Sequence, residues 1–193
     1  MRVRIGDTYL DDNYEASSLT VGVAAIIEHP DYKKKTVEND IAILELTDRI
    51  SLTKYPNIKP ICLPEAGALF HGEAIVSGWG TLASDSYSPS SLYEVAVTVF
   101  PDGDCGKMTP EMTEDMICAG VKEGGRGSCY GDSGGPLVAP DPHHYNSLTL
   151  IGLVSWGYGC AEADSLDIYA EVSHFVPWLY EQMPGLRTCP AYK

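Results

Sequence analysis

The sequence predicts an all-β fold, a sandwich or a barrel, with one helix near its C-terminal end. Short segments rich in Val, Ile, Tyr and Thr recur between turn residues. This rhythm is typical of sheets joined by loops rather than of alternating strands and helices. The predicted strands are residues 19–27, 41–46, 73–76, 93–99 and 148–154.

Helical periodicity is clear only near the C-terminal end of the chain. We expect Ser173 to cap this helix, and Pro184-Gly185 to end it. Its apolar positions are Phe175, Val176, Trp178, Leu179 and Met183. The most loop-like segment is residues 84–91, which is rich in Ser, and we expect it to connect two β halves.

Composition excludes several classes of function. The chain has 193 residues with 13 Lys and Arg against 27 Asp and Glu, a net charge of −14. Binding to nucleic acid or to an anionic membrane surface needs clustered cations, so we expect neither partner. The longest apolar stretch, residues 19–27, is too short to span a bilayer. A content of 44% apolar and 21% charged residues indicates a globular protein.

The cysteines predict disulfide bonds and a secreted, extracellular protein. Their count is even, and they lack the CxxC spacing of a zinc site. They are Cys62, Cys105, Cys118, Cys129, Cys160 and Cys189. Disulfides imply an oxidising compartment, yet the first residues do not read as a secretion signal. We therefore expect the chain to lack an upstream segment.

The string from Gly131 to Pro136, Gly-Asp-Ser-Gly-Gly-Pro, carries the strongest chemical signal. A nucleophilic serine needs an exposed hydroxyl on a tight turn, beside backbone N–H groups that hold an oxyanion. The glycines around Ser133 permit such a turn. Taken alone, a serine among glycines is more commonly part of an ordinary loop.

The surrounding motifs resemble those of the trypsin-like, chymotrypsin-fold serine endopeptidases. The matches follow the family order along the chain. They are Glu28-His29-Pro30, Asn39-Asp40-Ile41-Ala42, Ile61-Cys62-Leu63-Pro64, Ser77-Gly78-Trp79-Gly80, residues 118–137, residues 155–160 and Val176-Pro177-Trp178. The resemblance implies one peptidase domain of two six-stranded antiparallel Greek-key barrels and a C-terminal helix. Residues 1–84 would form the first barrel, incomplete, and residues 85–193 the second barrel and the helix.

The resemblance also implies a role for each matching site residue. Ser133 would be the nucleophile, and Asp40 would orient a catalytic histidine. The oxyanion hole would consist of the backbone N–H groups of Gly131 and Ser133. Asp132 matches the acid that, in active members, pairs with the amino terminus freed by zymogen cleavage.

The sequence departs from the family at the general base. The family carries its catalytic histidine in an Ala-Ala-His-Cys segment before the aspartate, and no such segment precedes Asp40 here. The five histidines lie outside that motif, and His29 matches a structural His-Pro of the family. Because a serine without a base is a poor nucleophile, we expect this chain to cleave peptides hardly at all.

The specificity pocket departs from that of trypsin-like members with a preference for Arg and Lys. Gly127, six positions before Ser133, stands where those members carry Asp. Asp167 stands where the family usually has a pocket-lining Gly, while Ser155, Trp156 and Gly157 match the pocket wall. This exchange resembles the collagenolytic serine proteases of crustaceans and implies acceptance of Arg, Lys and some large apolar residues. The alternative is that Asp167 is a surface acid in a shifted loop.

The family pattern implies disulfides Cys105–Cys118 and Cys129–Cys160. Cys62 would then join a lost upstream regulatory segment, or pair with Cys189 in the C-terminal tail. We expect no cofactor, but acids near the family's calcium loop leave a calcium site open, against the alternative of a solvated acidic turn. These acids are Asp7, Asp11, Asp12 and Glu15.

The motifs leave two classes of function open. The chain is either part of an active secreted endopeptidase, with protein substrates and protein protease inhibitors as partners, or a non-catalytic homologue. A homologue of that kind would bind proteins or regulate a protease cascade. We favour the endopeptidase, because a non-catalytic homologue need not retain Ser133, Asp40, Asp132 and an open pocket.

Overall fold

The computed structural model describes residues 1–11, 18–141 and 147–186, and it begins with a small open sheet. Strands β1 (Arg2–Ile5), β2 (Leu19–Glu28) and β3 (Ala42–Leu46) pair in that order, all antiparallel. Within the described residues this sheet does not close into a barrel. The first predicted barrel is thus a three-stranded sheet here.

The second part of the chain forms a closed barrel of six antiparallel strands. They are β4 (Gly72–Gly78), β5 (Tyr93–Val99), β6 (Met116–Gly120), β7 (Pro136–Pro140), β8 (Leu148–Trp156) and β9 (Asp167–Glu171). The strand order is β4-β5-β6-β9-β8-β7. Buried side chains from all six strands fill its interior, among them Val76, Val97, Ile117, Leu137, Ile151 and Tyr169. The predicted all-β class with one closed six-stranded barrel is therefore confirmed.

The division between the two β parts differs from the expected one. The segment of residues 84–91 joins β4 to β5, which are neighbours in the closed barrel. The change from sheet to barrel therefore lies before β4 rather than at residues 84 and 85. Composition alone could not show this, because a polar hairpin loop and a linker between domains are equally rich in turn residues.

Two helices complete the described structure, α1 (Asp102–Met108) and α2 (Val172–Gln182). The sequence did not predict α1, since its two glycines disfavour a helix and little apolar periodicity fits in seven residues. None of the helices in the described ranges is long and apolar enough to cross a membrane.

The predicted cap of α2 is wrong. The N-cap residue is Glu171, and Ser173 lies inside the helix, where its hydroxyl donates to Glu171 Oε1 at 3.0 Å. Strand β9 runs into α2 without a loop, so the helix begins before the first residue with strong capping preference.

Helix α2 joins the open sheet to the barrel. Its Phe175 and Trp178 pack with Ile41, and partly buried Ile27 and Ile43 of the sheet cover the same cluster. Ile27 and Ile43 are cross-strand partners, so one face of the sheet lies on the helix. This packing sets the end of the sheet, where Asp40 lies, against the barrel.

Candidate active site

Ser133 lies on a glycine turn directly before β7. Gly131 and Gly134 have φ of 98° and 78°, a backbone conformation that other residues rarely adopt. The Gly134 N–H donates to Val154 O at 2.8 Å, and the Val154 N–H donates to Gly135 O at 2.9 Å. These bonds fix the turn to strand β8, while the Ser133 residue itself is exposed.

Asp132 lines a cavity of about 250 Å³. Its Oδ1 accepts a hydrogen bond from Gly80 N at 2.8 Å, and its Oδ2 accepts one from Cys129 N at 2.9 Å. A Cβ atom on Gly80 would lie 2.5 Å from this carboxylate, and one on Gly78 would overlap it. The Ser77-Gly78-Trp79-Gly80 motif is thus explained, because its glycines leave room for Asp132.

Asp40 connects the open sheet to the barrel. The hydroxyl of Ser155 on β8 donates to Asp40 Oδ2 at 2.7 Å across 115 residues of sequence. The preceding residue, Asn39, has φ of 56°, which asparagine tolerates better than most residues. The backbone N–H of Asn39 donates to Oδ2 of the buried Asp115 at 2.6 Å, so Asp115 helps to hold this segment. Sequence reasoning did not identify Asp115, because no local motif marks it.

Two of the described histidines, His29 and His174, have their imidazole rings packed against aromatic side chains. His29 packs against the rings of Phe175 and Trp178, with ring centroids 5.5 Å and 4.9 Å away, and its Nδ1 accepts from Asp31 N at 3.3 Å. His174 lies in α2 with its ring edge against Phe175. In the described part of the chain no imidazole hydrogen-bonds to Asp40. His143 and His144 lie outside the described residues.

Asp167 is buried in a slot between two glycines. It is 8% exposed, and its Oδ2 accepts hydrogen bonds from Ser128 N at 2.6 Å and Ser128 Oγ at 3.0 Å. A Cβ atom on Gly127 would lie 2.5 Å from Asp167 Oδ2, and one on Gly157 would lie 3.0 Å from Oδ1. The surface-acid alternative for Asp167 is therefore wrong.

Burial also sets the charge behaviour of this acid. Desolvation raises the pKa of Asp167 above the usual range of an aspartate, and the hydrogen bonds from Ser128 offset part of the rise. Sequence reasoning missed Ser128, which supplies the polar contacts of this otherwise costly buried carboxylate.

One of the disulfides links two segments that border the slot. Cys129–Cys160 joins the segment before Ser133 to the segment after Gly157, and Cys105–Cys118 joins α1 to β6. Both pairings implied by the resemblance are formed. Cys62 is also disulfide-bonded, and Cys189 lies outside the described residues.

Two of the four acids considered for calcium, Asp7 and Asp11, lie in the described residues. Asp7 pairs with Arg4, with Nε to Oδ2 at 2.8 Å, and Asp11 is exposed. Asp12 and Glu15 lie outside the described residues. Among those that are described, no group of three acids, histidines or cysteines could hold a metal ion.

Comparison with known proteins matches most of the chain to one family. The family model described as Trypsin matches residues 1–179. Trypsin-1 of Astacus astacus is 43% identical over 167 residues, which are 86% of this chain and 68% of that protein.

Two vertebrate proteins match a longer part of the chain. Serine protease 1 of Rattus norvegicus is 37% identical over 183 residues, 94% of this chain and 70% of that protein. A trypsin of Squalus acanthias is 37% identical over 188 residues, 96% of this chain and 77% of that protein. With the closed barrel, the C-terminal helix and the glycine turn of Ser133, these matches show that the chain belongs to the trypsin family of serine endopeptidases.

Proposed function

We propose that this protein is a secreted endopeptidase that cleaves proteins by acyl transfer through Ser133. Its hydroxyl oxygen bonds to the substrate carbonyl carbon while a histidine base takes the proton. The amine leaves with that proton, and water then hydrolyses the acyl-enzyme. The N–H groups of Gly131 and Ser133 would hold the oxyanion, and Asp40 would orient the base.

The observation that carries this proposal is the hydrogen bond between Asp40 and Ser155. It brings the acid of the open sheet to the end of the strand that also provides Trp156 and borders the slot of Asp167. The proposed orienting acid and the proposed substrate pocket would thereby lie at one strand end. This is the arrangement that serine catalysis and side-chain recognition need together.

We infer that the general base is not among the described residues of this chain. His29 is engaged with Phe175 and Trp178, and the polar partner of Asp40 is Ser155. A fluorophosphonate probe tests this directly, because it reacts with an activated serine. Weak labelling of Ser133 is expected, compared with that in an active trypsin-family enzyme. Rapid stoichiometric labelling would show that a base is present.

For specificity, the buried Asp167 supports acceptance of Arg and Lys side chains, together with some large apolar ones. The charge of a carboxylate at the side of the pocket would attract a cationic side chain. The apolar part of the pocket wall would remain available to an uncharged side chain. Fluorescence anisotropy with labelled peptides ending in Arg, Phe or Asp is the test. Tight binding of the Asp peptide would contradict the proposal, and binding of Arg and Phe peptides would support it. Protein protease inhibitors would compete for the same pocket.

The cavity beside Asp132 supports activation of a zymogen type. The carboxylate of Asp132 accepts hydrogen bonds from the backbone N–H groups of Gly80 and Cys129. A new amino terminus that entered the cavity would add an ion pair with this carboxylate. Free Ile-Val dipeptide, added to the protein in solution, would then strengthen binding of the Arg peptide. Unchanged binding, with or without the dipeptide, would contradict this part of the proposal.

A second function is supported by the buried Asp167 together with the finding that, in the described ranges, no imidazole hydrogen-bonds to Asp40. In that case the chain binds proteins, or regulates a protease cascade, without cleaving them. Binding of Arg peptides without fluorophosphonate labelling would support it, and labelling would exclude it. A linkage through Cys62 to an upstream segment needs that cysteine to leave its present disulfide, which peptide mapping without reduction would detect.

A further inference from the structure

Three large apolar side chains lie exposed beside the cavity of Asp132. Tyr9 and Tyr93 are each 50% exposed, and Leu82 is 61% exposed. Leu82 and Tyr93 both line the cavity. Tyr93 is the cross-strand partner of Gly78, where a Cβ atom would overlap the Asp132 carboxylate, so Tyr93 lies on the same face of the sheet as that carboxylate. We call Tyr9, Leu82 and Tyr93 the mouth patch.

Backbone pairing brings Tyr9 beside Tyr93. Tyr9 and Ser91 form an antiparallel bridge, which is flanked by two main-chain hydrogen bonds of 2.8 Å between residues 8–10 and 90–92. Tyr93 follows Ser91 by two positions, so the two tyrosines are diagonal neighbours on one face, about 7–8 Å apart and within reach of each other's rings. The main chain holds this pairing, so the side chains can be replaced without removing it.

The two stretches of chain that form the mouth patch are acidic. Tyr9 lies in residues 5–32, and the other two patch residues lie in residues 60–106. Neither stretch contains a Lys or Arg, and each contains six Asp or Glu. Arg4, which donates to the backbone next to Tyr9, is paired with Asp7 at 2.8 Å. The mouth patch therefore combines apolar surface with an excess of negative charge.

Acids also lie around the cavity itself. Glu94 is exposed and lines the cavity together with Asp132. Asp85 is exposed in the turn that follows Leu82. Among the described lining residues the cation is Arg126, which offsets one of these three charges. Because single exposed apolar side chains are ordinary, it is their grouping within an acidic surface that indicates a binding surface.

We propose that the mouth patch is a docking surface for a basic segment of another protein, one that carries aromatic or aliphatic side chains between its cations. Charge complementarity selects this partner, because the acids attract Lys and Arg and repel acidic chains. The ring faces of Tyr9 and Tyr93 also attract cations. Tyrosine is enriched in protein interfaces, where it offers a large contact area. The inference does not depend on catalysis by Ser133.

The test uses three fluorescein-labelled peptides of equal length, built from repeats of Lys-Phe-Gly, Lys-Ser-Gly or Glu-Phe-Gly. Fluorescence anisotropy with the whole chain at low salt should show the Lys-Phe-Gly peptide binding about tenfold tighter than the Lys-Ser-Gly peptide, which lacks the apolar groups. The Glu-Phe-Gly peptide should bind more weakly than either. Equal binding of the two Lys peptides would overturn the proposal, because charge alone would then explain the binding.

The position of the bound peptide is tested by substitution. Tyr9→Ser with Tyr93→Ser should weaken binding of the Lys-Phe-Gly peptide about tenfold, through loss of two cation–π contacts and of apolar surface. The matched control, Tyr32→Ser with Tyr180→Ser, removes two tyrosines of similar exposure elsewhere and should leave the affinity unchanged. Equal losses in the two double variants would overturn the proposal.

The acidic surface is tested with the apolar side chains in place. Asp85→Asn with Glu94→Gln should weaken binding of the Lys-Phe-Gly peptide about three- to tenfold at low salt, and high salt should remove this difference. The control, Glu65→Gln with Glu181→Gln, removes two exposed acids elsewhere and should keep the affinity of the unmodified chain. Unchanged affinity in the first double variant would overturn the role of charge, and with it the choice of a basic partner.

A competition experiment separates the mouth patch from the slot of Asp167. An excess of unlabelled peptide that ends in Ser-Gly-Arg would fill the slot through its Arg, and it should leave binding of the Lys-Phe-Gly peptide unchanged. Displacement by this competitor would place the labelled peptide in the slot and overturn the docking proposal, while the pocket proposal would stand.

Discussion

The carboxylate of Asp167 lies in the space that a side chain at Gly127 would occupy. A Cβ atom at position 127 would lie 2.5 Å from Asp167 Oδ2, closer than packed atoms approach. The two residues lie on different segments, Gly127 in the loop before Ser133 and Asp167 at the start of β9. Asp167 can therefore hold its position only because residue 127 has no side chain.

Removing the charge of Asp167 should separate basic from apolar recognition. In Asp167→Asn, the side chain keeps its size but loses the charge that attracts a cation, and a charge-assisted contact is worth about 1.5–3 kcal/mol. We expect the Arg peptide to bind about tenfold or more weakly and the Phe peptide to bind as before, measured by anisotropy. Asp164→Asn, an exposed acid nearby, is the control. Equal loss for both peptides would indicate a structural effect instead.

Arg-peptide binding should depend on pH through Asp167. Because burial raises the pKa of Asp167, the folded state binds its proton more tightly than the unfolded state does. Stability from this group therefore falls as pH rises from the ordinary aspartate pKa through the raised one, while binding of a cation grows over the same window. A titration of Arg-peptide affinity should show this rise, and the Asp167→Asn variant should lack it.

Adding one methyl group at position 127 should disturb the pocket. In Gly127→Ala, the new Cβ forces Asp167 or the loop to move, and strain of this kind costs about 1–3 kcal/mol. Urea unfolding should show that loss, and affinity for the Arg peptide should fall. The control is Gly103→Ala in α1, where nothing lies within 4 Å of the new atom. There the helix should become slightly more stable.

The disulfides Cys129–Cys160 and Cys105–Cys118 should contribute unequally to stability. The bonds close segments with sequence separations of 31 and 13 residues, so the chain-entropy account favours Cys129–Cys160 by about 0.8 kcal/mol. Replacing both cysteines of a pair by Ala should cost about 2–4 kcal/mol in either case. Only loss of Cys129–Cys160 should also weaken peptide binding, because it braces the pocket. Thermal unfolding and anisotropy on both variants test this.

Asp115 should be important for stability although no motif marks it. In Asp115→Ala, the N–H of Asn39 and the hydroxyl of Thr113 lose a charged acceptor, a loss of about 2–3 kcal/mol. The neighbouring Glu114 is exposed, and Glu114→Ala should change the free energy of unfolding by less than about 0.5 kcal/mol. Similar urea midpoints for the two variants would contradict the anchoring role.

Five of the nine strands in the described ranges were predictable because their signal is local. Residues 93–99 form β5 at the predicted bounds, and residues 73–76 lie within β4, which extends to Gly72 and Gly78. Strands β1, β6, β7 and β9 were not predicted. The last three are short segments that contain Gly, Pro or a charged residue, and the barrel determines them by pairing with neighbours.

By itself, the sequence determined the family, the all-β class, the terminal helix and the candidate nucleophile turn, because contiguous motifs encode them. Tertiary structure alone decided that Asp167 is buried, that Asp132 needs Gly78 and Gly80, and that the sheet stays open within the described residues. Contacts such as Ser128 with Asp167, 39 residues apart, or Ser155 with Asp40, 115 apart, have no signal in any short window. These contacts form when barrel closure and helix packing bring distant segments together, so they can be identified only in the folded chain.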